Sequence, residues 1–192
     1  MNKKYKILAL IGKAGSGKDT LLRAVCDSVL PIHEIVSFTT RPPREGEING
    51  ENYIFVSGEE FARAMLDGQM IEACEFNNWF YGTGYESLRT NTINVGVFNP
   101  TGIQALAHDP EVELKVIYVR AADKERLLRQ LNREEDPDCH EIVRRFRTDE
   151  EDFMDIDYPH IEIYNDTLAD LAVSTERLLD LIDSWQNEGK TN

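Results

Sequence analysis

A glycine-rich run, Gly12-Lys13-Ala14-Gly15-Ser16-Gly17-Lys18-Asp19-Thr20, follows an apolar stretch at residues 5–11 and opens a helical pattern. That strand–loop–helix order constrains the chain more than any other feature of its sequence. Glycines let successive backbone N–H groups turn inward, and the helix N-terminus adds positive partial charge, so the run predicts a cradle for phosphate. A lysine in the position of Lys18 reaches the outer phosphates of a nucleoside triphosphate. The usual pattern continues with Ser or Thr; here Asp19 stands there, with Thr20 next. A carboxylate at Asp19 is an oxygen ligand that Mg2+ accepts. The alternative is that Thr20 serves the α-phosphate while Asp19 caps the helix.

Around this loop, strand and helix patterns alternate. Apolar, β-branched runs at residues 35–38, 92–98, 114–119 and 161–164 predict strands. Helical spacing predicts helices over 18–30, 101–107, 123–132, 140–153 and 168–185. Alternation of this kind builds a parallel sheet wound on both faces, a three-layer α/β/α core of the P-loop NTPase type. Two stretches break the rhythm. Residues 39–86 hold a polar loop, an alternating pair (Tyr53, Phe55), a short helix at 59–65 and a strand at 70–76, which predicts a small α+β insert. Residues 133–140 form a charged turn with Pro137 between two helices.

Composition narrows the partners. The chain has 192 residues, enough for one well-buried core, and no apolar run approaches the roughly 18 residues that span a bilayer. A formal charge of −14 argues against nucleic acid, whose phosphates need a basic face. A nucleotide remains compatible with it, because a few cations gathered in one cleft can hold several phosphates. Cys26, Cys74 and Cys139 are odd in number and scattered, which suits reduced thiols in a cytoplasmic protein.

The insert carries the information about an acceptor. Arg41 and Arg44 lie three apart in Thr39-Thr40-Arg41-Pro42-Pro43-Arg44, with Tyr53 further on, and arginine forks of this kind can clamp a phosphate dianion. Glu72 interrupts an apolar strand, and a lone carboxylate in a cleft can accept both N–H groups of a guanine edge. Tyr81 and Thr83, in Tyr81-Gly82-Thr83-Gly84, add two hydroxyls. Each residue also has a plainer reading: loop arginines in solvent, ordinary strand aromatics, an edge-strand carboxylate. Arg144, Arg145 and Arg147 stand beside Glu150, Glu151 and Asp152, where exposed ion pairs contribute well under ~1 kcal/mol.

Taken together, residues 39–56 resemble the signature of guanylate kinases, and the similarity extends from the phosphate loop to Asn165 and Asp166. The resemblance implies ATP with Mg2+ as donor, GMP or dGMP as acceptor, and no covalent intermediate. It implies that Arg41, Arg44, Tyr53 and Tyr81 hold the acceptor phosphate while Ser37, Glu72 and Thr83 read the base. Arg133 and Arg145 match lid arginines, and Asn165 matches a residue near the adenine. The implied divisions are a core of residues 1–36 and 89–192, a lid at about 133–141 and an acceptor insert at 37–88. The chain departs from the pattern at Val97 and Asn99, where that family carries aspartates; Asn99 keeps one hydrogen-bond acceptor for a base but no charge. Two rivals follow: a deoxynucleoside monophosphate kinase of broader base choice, as phages use, and a non-catalytic guanylate-kinase-like binding module. The sequence is silent on oligomeric state.

Overall fold

The strand β1 (Tyr5–Ile11) sends Leu8 and Leu10 to one side and Ile7, Ala9 and Ile11 to the other, and all five are fully buried. A strand apolar on both faces must lie inside a sandwich of helices. In the computed structural model, which describes residues 4–188 except 45, 77 and 134, it is the middle of a five-stranded parallel sheet. Glu45, within the expected insert, and Glu134, within the expected lid, therefore lie outside the described residues.

The sheet runs in the order β2-β7-β1-β8-β9, with β2 at Ile32–Glu34, β7 at Ile93–Val97, β8 at Val112–Arg120 and β9 at Ile161–Tyr164. One core joins the sheet to α1 (Lys18–Cys26) and α6 (Leu168–Asn187) through Leu21, Leu22, Val25, Leu178, Ile182 and Trp185. The opposite core packs Ile103 and Leu106 of α3 (Pro100–His108), with Phe153 beside them. Each fully buried side chain of this size is worth about 1.5–3 kcal/mol relative to exposure. The predicted three-layer core is thus observed.

A second sheet, ordered β4-β3-β6-β5, is built from β3 (Phe38–Thr39), β4 (Ile54–Phe55), β5 (Met70–Phe76) and β6 (Trp79–Gly84), with α2 (Gly58–Leu66) against it. Helices α4 (Asp123–Leu131) and α5 (Cys139–Asp152) follow β8 and precede β9 in the chain. The described helices include none long and apolar enough to cross a membrane.

Three local expectations change. Helix α1 stops at Cys26 rather than 30, where the Asp27 N–H closes back on Arg23, so Val29 is fully exposed despite its helical spacing. The strand expected at 35–38 is divided between sheets. Residues 32–34 pair with β7, the Ile35 N–H still bonds the Val95 carbonyl, and Phe38 already belongs to the second sheet. Strand β6 was not anticipated. Gly82 is required there: a side-chain carbon would lie 2.7 Å from the Glu72 carbonyl oxygen.

Candidate active site

Parallel strands gather their carboxyl ends at one edge, where open α/β sheets bind ligands. Here β1 leads into the glycine loop, β7 into Asn99, β8 into α4 and β9 into Asn165. Gly15 and Gly17 adopt left-handed φ of 78° and 90°, so the loop turns sharply into α1. Gly17 is pressed against the Asn165 amide, where no side chain would fit. The Asn165 amide donates to the Ser16 carbonyl at 2.9 Å, bracing the loop from outside.

The Lys18 ammonium donates to the carbonyls of Gly12 (2.7 Å) and Lys13 (3.2 Å). Burial pulls its pKa below the usual lysine range, and the charges of Asp19 and Asp149 work against that shift. Asp19 and Thr20 are exposed at the start of α1. Across a cleft of about 630 Å³, Lys18, Asp19 and Thr20 face Arg44 of the insert, Arg129 of α4, Arg133 after it and Arg145 of α5. With Arg23 of α1, six cations among the described residues thus converge in a chain of strong net negative charge. Arg145 is held by Glu141, whose Oε1 accepts from its Nε at 2.8 Å.

Arg129 and Arg126 brace the phosphate loop, and the sequence reading missed both. Arg129 donates to the Gly15 carbonyl (3.2 Å) and to the carbonyls of Asn165 (2.7 Å) and Asp166 (2.9 Å), tying loop to strand end. Its signal was its place one turn before Arg133. Arg126 lies 1% exposed beneath the loop and donates through Nε to the Ala14 carbonyl at 3.0 Å. The Ala14 N–H donates to Asp149 at 2.8 Å, and Lys13 pairs with Glu150.

The insert assembles a second cluster. Arg41 is nearly buried, its guanidinium over the rings of Tyr53 (5.5 Å) and Phe55 (5.7 Å). Its Nη2 donates to Glu47 at 2.8 Å, and its Nη1 to the Pro42 carbonyl. Tyr53 and Tyr81 meet edge to face with ring centres 5.9 Å apart. Burial raises the Tyr53 pKa, with Tyr81 and then Asp19 of the phosphate loop adding to it. Arg44 is exposed and turned toward the cleft instead of stacking beside Arg41.

Beside this cluster lies the expected base pocket. Glu72 pairs across strands with Thr83, and Ser37 Oγ stands 3.5 Å from Thr83 Oγ1. Burial pushes the Glu72 carboxyl above the ordinary range, opposed by hydrogen bonds from Thr83. Asn99 caps α3, its Oδ1 accepting from the Gly102 N–H at 2.7 Å. Its oxygen and the Glu72 carboxylate both border Gly102, so Asn99 adjoins the pocket with one of its oxygen's two lone pairs already used.

The guanylate kinase family model matches residues 4–182. A guanylate kinase of Rubrobacter xylanophilus is 32% identical over 174 positions, covering 84% of this chain and 86% of the relative. One from a Nostoc species is also 32% identical, covering 84% and 82%. The crystal structure of guanylate kinase from Anaplasma phagocytophilum superposes with a TM-score of 0.65 over 96% of this chain and 88% of its own. At 21% identity that last likeness is one of fold.

Proposed function

This chain belongs to the guanylate kinase family, and on that premise we propose how it passes the terminal phosphoryl group of ATP to GMP. The observation that carries the reading is the convergence of Lys18, Arg44, Arg129, Arg133 and Arg145 on one cleft, next to an insert that presents Arg41, Tyr53, Tyr81 and Glu72.

The glycine loop and Lys18 hold the donor phosphates, and the ammonium stabilises the charge that develops on the transferring group. Arg41 holds the acceptor phosphate, with Tyr53 and Tyr81 supplying hydroxyls and Arg44 approaching from the cleft side. An ionised phosphate is already a nucleophile, so no general base is required; alignment and charge neutralisation supply the catalysis. Ser37, Glu72 and Thr83 read the base, the Glu72 carboxylate accepting two N–H groups of guanine. Adenine lacks that pair of donors. Asp19 and Thr20 both offer oxygens to the cleft beside Lys18, a donor set suited to a hard cation. They would hold Mg2+, which neutralises charge on the donor phosphates.

The proposed moving parts are the insert at 37–88 and the lid at about 133–141, closing on a core of 1–36 and 89–192. Closure brings Arg133 and Arg145 to the phosphates and excludes water, which limits ATP hydrolysis. Free thiols at Cys26, Cys74 and Cys139 suit a reducing, cytoplasmic setting.

The test is a coupled ADP-release assay with ATP-Mg and each of GMP, dGMP, AMP, dAMP, CMP, dCMP, UMP and dTMP. Turnover confined to GMP and dGMP is expected. Comparable activity with the other bases overturns the assignment of Glu72, and no turnover with any acceptor overturns the kinase reading.

A further inference from the structure

Beneath the phosphate loop lies an ion-pair network that the transfer reaction, as derived above, does not use. Arg126 of α4 donates to Asp123 at 2.6 Å and to Asp149 of α5 at 2.5 Å, and its guanidinium lies 4.4 Å from the Phe146 ring centre. The same Asp149 oxygen accepts the Ala14 N–H at 2.8 Å, while Arg126 Nε donates to the Ala14 carbonyl at 3.0 Å. Both backbone groups of one loop residue are thereby held by the two partners of a single ion pair. Glu150, the next residue of α5, pairs with Lys13 of the loop.

We propose that the Arg126–Asp149 pair is a positioning device that docks α5 onto the phosphate loop and aims Arg145 at the donor phosphates. Asp149 and Arg145 are four residues apart on α5 and so share a face one turn apart. Fixing Asp149 to Ala14 fixes the direction from which Arg145 enters the cleft. Phe146, between them, is clamped by Arg126. Glu141, one turn the other way, bonds Arg145 and completes a row along the helix. Burying a charged pair is an expensive way to join two helices, and apolar residues of similar size do it as well or better. What the pair adds is directional bonding to both the N–H and the carbonyl of Ala14, which an apolar contact lacks.

The inference rests on the kinase reading, and a double variant separates the two. Arg126→Leu with Asp149→Leu replaces the pair by apolar packing and should melt at or above the wild-type temperature. Titration with ATP-Mg alone, without acceptor, should show about tenfold weaker binding. Assay with GMP should show kcat reduced at least tenfold and the KM for GMP unchanged. Asp149→Asn keeps an acceptor for the Ala14 N–H but removes the charge facing Arg126; it should move both readouts the same way by about three- to fivefold. ATP affinity and kcat within twofold of wild type in both variants overturn the proposal, as does a KM for GMP that rises in step with the loss of kcat. A wild-type chain without GMP turnover counts against the kinase reading, and the ATP titration then decides the role of the pair by itself.

Discussion

Glu47 holds Arg41 through one carboxylate oxygen at 2.8 Å and the Arg44 backbone N–H through the other at 2.7 Å. One carboxylate therefore sets the spacing of both insert arginines. The guanidinium is further confined by Pro42, Tyr53 and Phe55, so its fork is oriented before any phosphate arrives. Such pre-orientation favours binding because less ordering remains to be done.

Glu47→Ala should accordingly raise the KM for GMP roughly tenfold, in line with the loss of a charge-assisted hydrogen bond, and leave ATP affinity unchanged. Arg41 holds the Glu47 carboxyl below the ordinary range. The pair therefore stays intact above the normal carboxylate pKa, and its contribution to stability is lost only as pH falls through the depressed value. Steady-state kinetics in both substrates check the role; unchanged KM for GMP shows that the stacked rings orient Arg41 without Glu47.

Lys18→Ala should lower kcat at least a hundredfold, about 3 kcal/mol of barrier, with little change in melting temperature. The fold is expected to tolerate the loss because burial already disfavours the charged ammonium, which offsets the two carbonyl hydrogen bonds that disappear with it. Undiminished turnover would refute the role given to the glycine loop.

The core was legible because it obeys one periodicity at a time. Tyr5–Ile11 is apolar on both faces and is a central strand with those same ends. The loop motif was legible because its chemistry is local. Phe38–Thr39 and Ile54–Phe55 were not, since two-residue strands are too short to show a period and exist only through their pairing. Strand β6 was hidden by Gly82 and Gly84, which sequence reading assigns to turns; the structure places them where Glu72 and the Phe38 ring approach too closely for any side chain. Arg126 and Asp149 lie on different helices, 23 positions apart in the chain, and nothing in either local pattern announces the other. Arg41, Tyr53, Tyr81 and Glu72 were all named from sequence, and the structure carries Tyr81 and Glu72 on strands of the second sheet and Arg41 and Tyr53 beside its short strands, but Glu47 looked like any loop glutamate.

The pH dependence of the base pocket should distinguish Glu72 from a surface carboxylate. Its folded-state pKa is raised by burial, so the native state binds the proton more tightly than the unfolded chain does. Stability contributed at this site therefore rises as pH falls through the raised pKa, and falls as the group ionises. Guanine recognition runs the other way, since only the carboxylate accepts two hydrogen bonds. The KM for GMP should climb on acidification, beginning above the ordinary glutamate pKa, while the melting temperature does not fall in that window. Glu72→Gln should abolish this dependence and weaken GMP far more than AMP; equal losses for both bases would sink the assignment.

Asn99 offers the sharpest test of base choice. Its oxygen caps α3 through the Gly102 N–H. Aspartate is an equally good N-cap and adds a favourable charge at a helix N-terminus, so Asn99→Asp should leave the melting temperature within a few degrees. It also sets a second carboxylate beside Glu72, both bordering Gly102. Like charges in one pocket raise the pKa of the more buried acid, so the onset of GMP loss on acidification should move to higher pH. At neutral pH the added acceptor should improve discrimination of GMP against AMP several-fold, read as the ratio of kcat/KM values. An unchanged ratio together with an unchanged pH onset would show that position 99 serves the helix and takes no part in selecting the base.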